Sequence, residues 1–157
     1  MIPSVAYLIG VGGAGMSAIA RYLLKSGCEV YGYDRVKTSL TEKLEQEGVH
    51  VNYALSLTAI PEAVRIESGK LLLITTPAIS SSHPHLIHLK KAGHNAIKRS
   101  EFLGQITENK PTLAIAGTHG KTTITAILAH ILAGTENGCN AFIGGISANT
   151  KSNFYWS

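Results

Sequence analysis

The chain has 157 residues, with 14 Lys+Arg against 10 Asp+Glu, a formal charge of +4 with histidine neutral. Hydrophobic residues make up 45% and charged residues 15%, which excludes intrinsic disorder, a state of low hydrophobicity and high charge. No basic run exceeds Lys90-Lys91, so nothing points to nucleic acid as a partner.

The opening stretch, MIPSVAYLIG, lacks a basic leader and reaches glycine after nine residues. It reads as neither a signal peptide nor a membrane span, and a cytoplasmic protein is expected. VAYLI (5–9) is a continuous apolar run and predicts a strand buried on both faces. A helix over 15–26 follows, with Met16, Ile19, Ala20, Leu23 and Leu24 on one face and Gly27 as its stop. EVYGYD (29–34) predicts a second strand. Ser39 and Glu42 predict a capping box for a helix through Gln46, ended by Gly48. VHVNY (49–53) reads as a further strand, KLLLITT (70–76) as the strongest one and NAIK (95–98) as a weaker one. Ser82 is placed to cap a helix ending at Ala92 before Gly93. Strands alternating with helices predict βαβ units in a doubly wound, Rossmann-like parallel sheet of the α/β class.

A polar stretch from Thr107 to Pro111 predicts a boundary, giving units 1–107 and 108–157. TLAIA (112–116) then predicts a strand, 121–133 a helix and NAFIGG (140–145) another strand. About fifty residues are too few for an α/β domain of ordinary size. The second unit therefore reads as the opening of a larger P-loop ATPase-type α/β domain. Its open strand edges predict poor order or self-association. Cys28 and Cys139 make no disulfide framework and read as small buried hydrophobes. His83, His85 and His88 invite a metal reading, but no Cys or carboxylate nearby in sequence completes a site, so a solvated histidine face is expected.

Two glycine loops carry the chemistry. The first, Gly10-Val-Gly12-Gly13-Ala14-Gly15, joins a predicted strand to a predicted helix, as a G-x-G-x-x-G fingerprint requires. Glycine there permits a tight turn and close backbone approach to phosphate, and the helix N–H groups meet the negative charge. Asp34 ends the next strand and can accept from ribose hydroxyls or a base. The alternative is a ligand-free turn, with Asp34 a turn residue. The second loop is Gly117-Thr118-His119-Gly120-Lys121-Thr122-Thr123. It is a shortened P-loop, because Ile115 stands where the full pattern has glycine. Backbone N–H groups cradle phosphate, Lys121 reaches the outer phosphates and the Thr122 hydroxyl joins a Mg²⁺ shell. A dehydrogenase or nucleotide-sensing Rossmann module using NAD would need only the first loop; the second argues against it.

Together, GVGGAGMSAIARYL (10–23), GYD (32–34), TPAI (76–79), RSEFL (99–103), AGTHGKTT (116–123) and FIGG (142–145) resemble the Mur ligases of bacterial cell-wall synthesis. Within that family, GTHGKTT narrows the branch to two. The GGAGM loop favours the one that joins L-alanine to UDP-N-acetylmuramate over the one that recycles murein tripeptide. The resemblance covers the first third of such an enzyme. It implies that Gly12, Gly13, Ala14, Gly15 and Met16 surround the diphosphate of UDP-N-acetylmuramate. Thr75, Thr76 and Pro77 form the loop opposite, and Asp34 lies toward the uridine. It implies ATP and Mg²⁺ as cofactors, with Gly117, Thr118, His119, Gly120, Lys121, Thr122 and Thr123 on the nucleotide and Thr122 on the metal. Lys121 and His119 are the catalytic candidates, where an acyl phosphate forms and the alanine amine attacks it. The family's acidic metal motif, adenine pocket and amino-acid domain are not in this sequence. The chain alone is therefore expected to bind the UDP-sugar and not to catalyse.

Overall fold

The computed structural model describes residues 3–66, 71–146 and 152–156. Its centre is a five-stranded sheet in the order β3-β2-β1-β4-β5. The strands are β1 (Val5–Ile9), β2 (Glu29–Tyr33), β3 (His50–Asn52), β4 (Leu71–Thr75) and β5 (Ala96–Lys98), and every pairing is parallel. Lys70, assigned to β4 by the sequence, lies outside the described residues. Val5 pairs with Glu29 on one side and Leu71 on the other. All five β1 residues are buried, as an apolar run in a parallel sheet requires.

Side chains alternate across the sheet and feed two cores. Ala6, Leu8, Val30 and Ile74 pack under α1 (Ala14–Lys25), α2 (Ser39–Glu47) and α5 (Arg99–Thr107) through Ile19, Leu23, Leu44 and Phe102. Val5, Tyr7, Ile9 and Leu73 pack under α3 (Glu62–Ile66) and α4 (Pro84–Lys91) through Val64, Leu86 and Leu89. Helices on both faces make the sheet doubly wound. The chain winds outward from β1 to β3, then returns beside β1 at β4. The carboxyl ends of β1 and β4 thus form a topological switch point, the place where such sheets open a crevice.

Local signals differ from the sequence reading at several points. The α2 cap is Thr38, not Ser39: its hydroxyl accepts from Thr41 N–H at 3.3 Å, and Thr41 Oγ1 accepts from Thr38 N–H at 2.8 Å. Gly48 ends α2 in the left-handed conformation at φ 105°, as expected. His83, rather than Ser82, precedes α4, and Pro84 takes the first helical position, where a missing N–H costs nothing. Residues 57–59 form a 3₁₀ turn, and α3 and α5 are helices too short or too weakly amphipathic to read in sequence. The histidines do not form a solvated face. His85 is fully buried, its Nδ1 2.8 Å from Tyr7 Oη and its Nε2 3.2 Å from the Ser56 carbonyl. Among the described residues no cluster of three metal-ligating side chains occurs. Cys28 is buried and Cys139 half-buried, both as free thiols.

Beyond α5 the chain turns through Asn109, at φ 58°. Residues 112–116 form no strand, and Leu113 is 69% exposed. The predicted strand fails because no described segment lies beside it to complete a ladder. α6 (Lys121–Ala133) forms as predicted, and β6 (Ala141–Phe142) pairs antiparallel with β7 (Phe154–Tyr155). Of the two runs expected to present open edges, 140–144 is thus paired within the chain at Ala141–Phe142, on one side. This hairpin lies on α1, where Tyr22 contacts Phe142, Phe154 and Trp156 at ring-centroid distances of 5.5, 6.1 and 5.9 Å. No helix among the described residues is long and apolar enough to cross a membrane.

Candidate functional site

At the switch point, β1 ends in a loop held from beneath. The N–H groups of Gly10 and Val11 donate to the Tyr33 carbonyl at 2.7 and 3.1 Å. Gly10 sits at φ 88°, a conformation costly for a residue with a Cβ. Gly13 N–H donates to Gly10 O at 3.3 Å and closes the turn. α1 then begins at Ala14 with Gly13 as its cap. N–H groups of its first turn, at Ala14 and Gly15, lack intrahelical partners and point out of the helix end. Such a terminus favours an anion.

Three neighbouring elements close around this loop. Asp34, at the end of β2, accepts from Gly12 N–H at 2.8 Å through Oδ2 and from Val36 N–H at 3.2 Å through Oδ1. A Cβ on Gly12 would meet Asp34 Oδ2 and Thr41 Cγ2, each at 2.8 Å. Asp34 therefore holds the loop itself, a job its sequence position did not disclose. Thr75 ends β4 opposite Ile9. Thr76 follows, with Oγ1 3.8 Å from the place of a Gly10 Cβ. Thr76 also accepts from Ala78 N–H at 3.2 Å and shapes the turn on which Pro77 stands exposed.

The third neighbour is Arg99, which the sequence reading quoted only inside RSEFL. It opens α5 just after β5, again at the carboxyl edge of the sheet. Its Nη1 lies 2.6 Å from where a Gly15 Cβ would be. The half-buried side chain thus rests on the bare backbone of Gly15, bringing a positive charge to the start of α1. The available signal was positional: an arginine directly after the last strand of the sheet. Met16, by contrast, is 1% exposed within the core, and its N–H already donates to Gly13 O at 3.0 Å. It supports the loop from within.

The second loop has a different setting. Gly117 and Gly120 adopt φ of 144° and 77°, and Gly120 caps α6. Thr118, His119, Lys121, Thr122 and Thr123 are all exposed. Lys121 Nζ donates to the carbonyls of Gly117 and, at 3.2 Å, Thr118. The Thr122 side chain lies against the FIGG segment: Cβ atoms on Gly144 and Gly145 would sit 3.7 Å from its Oγ1 and 3.2 Å from its Cγ2. Among the described residues no hydrogen bond joins this loop to Gly10–Gly15, so the structure gathers the sequence-predicted residues into two separate groups.

A family model described as "Mur ligase family, catalytic domain" matches residues 5–111. The chain belongs to the Mur ligase family. Among curated relatives, the UDP-N-acetylmuramate–L-alanine ligase of Christiangramia forsetii is 49% identical over 94% of this chain and 32% of its own length. The protein of the same name from Porphyromonas gingivalis is 44% identical over 96% of this chain and 33% of its own. The chain therefore spans about a third of the length of the Mur ligases it matches. Among solved structures, the UDP-N-acetylmuramate–alanine ligase of Thermotoga maritima superposes with a TM-score of 0.82 at 28% identity, over 95% of this chain and 34% of that one. A murein peptide ligase from Psychrobacter arcticus, 23% identical with a TM-score of 0.78, shares the fold over 97% of this chain and 33% of its own.

Proposed function

We propose that this chain is the N-terminal part of a cytoplasmic ATP-dependent ligase joining L-alanine to UDP-N-acetylmuramate in peptidoglycan synthesis. In this reading residues 1–107 hold the UDP-sugar and 108–157 open the ATP unit. The observation that carries the reading is the convergence at the switch point. A glycine loop, a helix N-terminus and the Arg99 guanidinium meet there, which is the chemistry a diphosphate needs. Relatives named for this activity match nearly the whole chain.

The N–H groups of Ala14 and Gly15 receive the diphosphate on the turn that Gly13 closes, and Arg99 neutralises it from the α5 side. Thr75, Thr76 and Pro77 wall the crevice across from the loop. Asp34 fixes Gly12, so that the loop is shaped before ligand arrives and little ordering entropy is lost on binding. Lys121 and the N–H groups of Gly120 to Thr123 would hold ATP phosphates. The Thr122 hydroxyl would give Mg²⁺ one oxygen, the hard ligand that ion prefers. The exposed α6 N-terminus and the Thr122 hydroxyl fit that role. Mg²⁺-ATP supplies the phosphoryl group that activates the muramoyl carboxylate. His119 faces solvent beside Lys121, where the carboxylate would be presented.

The residues 112–157 also expose Leu113, Ile124, Ile127 and Ile131 at 69, 46, 54 and 58%. This apolar face supports self-association of the chain. Calorimetric titration with UDP-N-acetylmuramate, NAD and ATP tests the reading. UDP-N-acetylmuramate is expected to bind tightest, and the chain alone to show no alanine-dependent phosphate release. NAD binding more tightly than the UDP-sugar would overturn the assignment of the first loop.

A further inference from the structure

Asn153, one residue before β7, is fully buried although its side chain is polar. Its Nδ2 donates to the Ala14 carbonyl and, at 2.7 Å, to Ser17 Oγ. Its Oδ1 accepts from Arg21 Nη1. Arg21 is itself 6% exposed and is held by Glu47, through Nε at 2.6 Å and Nη2 at 3.2 Å. The orientation of the amide is chemically forced. A guanidinium offers donors only and a carbonyl accepts only, so oxygen must face Arg21 and nitrogen must face Ala14. Neither aspartate nor alanine satisfies both sides.

The position of these partners matters more than their number. Ala14 and Ser17 form the first turn of α1, the turn that begins at the glycine loop. Glu47 closes α2, whose Thr41 packs against the place of a Gly12 Cβ. On the other side, β7 pairs with β6, and the Ile143 N–H donates to the Asn153 carbonyl at 2.9 Å. Gly144 and Gly145 follow at once and carry the Thr122 contact. Aromatic packing on Tyr22 also holds the hairpin against α1. The polar set adds a fixed register between the hairpin and the phosphate-binding turn.

We propose that Asn153 is a positioning residue that couples the second glycine-loop segment to the first turn of α1, so that a sugar nucleotide seated on the first loop also stiffens residues 141–146 and 152–155. The ligand half of this proposal rests on the function proposed above. A ligand that orders one end of a hydrogen-bonded set lowers the ordering cost of the other, which is coupling without a change of fold.

Hydrogen exchange on the whole chain, with and without UDP-N-acetylmuramate, tests it. In the ligand-free chain, Asn153→Ala is expected to speed exchange at 141–142 and 154–155, leaving 71–75 unchanged. With ligand, the parent chain is expected to slow exchange at 14–17 and also at 141–142 and 154–155, by about fivefold, the low end of ordinary coupling. Asn153→Asp keeps the acceptor for Arg21 but loses both N–H donors. It is expected to leave the hairpin docked and still lose the ligand-induced slowing at 141–142 and 154–155. Slowing confined to 14–17 in the parent chain, or full transmission in Asn153→Asp, overturns the coupling. Unchanged ligand-free exchange in Asn153→Ala overturns the positioning role. If the UDP-sugar slows nothing at 14–17, the reading of the first loop fails, and Asn153 is judged on the ligand-free comparison.

Discussion

The loop at Gly10 leaves a strand with partners on both sides and helices over both faces. The loop at Gly117 leaves residues 112–116, which have no ladder partner among the described residues and mostly face solvent. Both loops follow apolar, β-prone runs, and both open helices. The difference lies in what surrounds them. A strand is a pairing and not a local conformation, so VAYLI becomes β1 while TLAIA stays irregular. A helix closes its own hydrogen bonds, which is why α6 forms although Ile124, Ile127 and Ile131 remain exposed. The first loop is therefore shaped by the fold. The second is shaped by its own glycines and by the Gly144-Gly145 backbone behind Thr122.

The sharpest test of this contrast is core truncation. Leu8 and Leu73 are fully buried, on opposite faces of the sheet. Leu8→Ala is expected to cost about 2–5 kcal/mol of unfolding free energy, by lost burial plus the cavity left behind. Ile127→Ala, in a residue 54% exposed, is expected to stay within about 0.5 kcal/mol. Urea titration reads both. Equal losses would show that α6 is as well packed as β1. In light scattering, Ile127→Glu is also expected to reduce self-association of the chain.

Gly12→Val probes whether the first loop tolerates any side chain. Its Cβ would stand 2.8 Å from Asp34 Oδ2 and Thr41 Cγ2, so the loop must shift even before ligand is considered. A cost of about 1–3 kcal/mol is expected from overpacking, together with loss of UDP-N-acetylmuramate binding by calorimetry. Gly15→Ala is the gentler companion. It meets the movable tip of Arg99, so folding is expected to survive while binding weakens. Unaltered binding in Gly15→Ala would remove Arg99 from the site.

These residues also show what the sequence disclosed. The parallel, doubly wound sheet and the glycine loop were legible, because both depend on local pattern plus the rules of parallel sheets, whereas Thr76 beside the loop came only from the family resemblance. Arg99 was not legible, since nothing local tells an arginine that it will lie on a glycine 84 positions away. The same holds for Asn153 and Arg21, joined across a sequence gap of 132. His85 misled for a related reason. Its spacing with His88 looked like a helix face, while its burial comes from Tyr7 on a strand 78 residues distant.

His85 gives the pH test. Burial pushes it below the ordinary 6.5, against the opposing backbone contacts with Ser56 and Leu55. Burial and nearby His85 lower His83 as well. Both take up a proton more readily in the unfolded chain. Stability is thus fully present above about pH 6.5 and is lost as pH falls from there through the lowered folded values. For His85 the slope is at most about 1.4 kcal/mol per pH unit. His85→Gln is expected to flatten the decline below pH 6.5 in thermal melts. A decline that persists in His85→Gln would place its origin elsewhere.

The smallest expected effect is the most discriminating. Lys121 is exposed, and its ammonium donates to carbonyls of its own loop, at Gly117 and Thr118. Those carbonyls reach water once the lysine is removed, so no buried acceptor is stranded. The lost contacts join flexible groups in a screened setting, where such interactions are worth little. Lys121→Ala is therefore expected to shift the unfolding free energy by less than about 0.5 kcal/mol. Removing a charge that serves a ligand leaves the fold intact but weakens the site it serves. The expected pattern is an unchanged melt without nucleotide, unchanged UDP-N-acetylmuramate binding, and loss of any Mg²⁺-ATP-induced rise in melting temperature. A large stability loss would make Lys121 part of the scaffold. Weakened UDP-sugar binding would show that the two loops already act on one ligand, and the separation between them drawn from the fold would not hold.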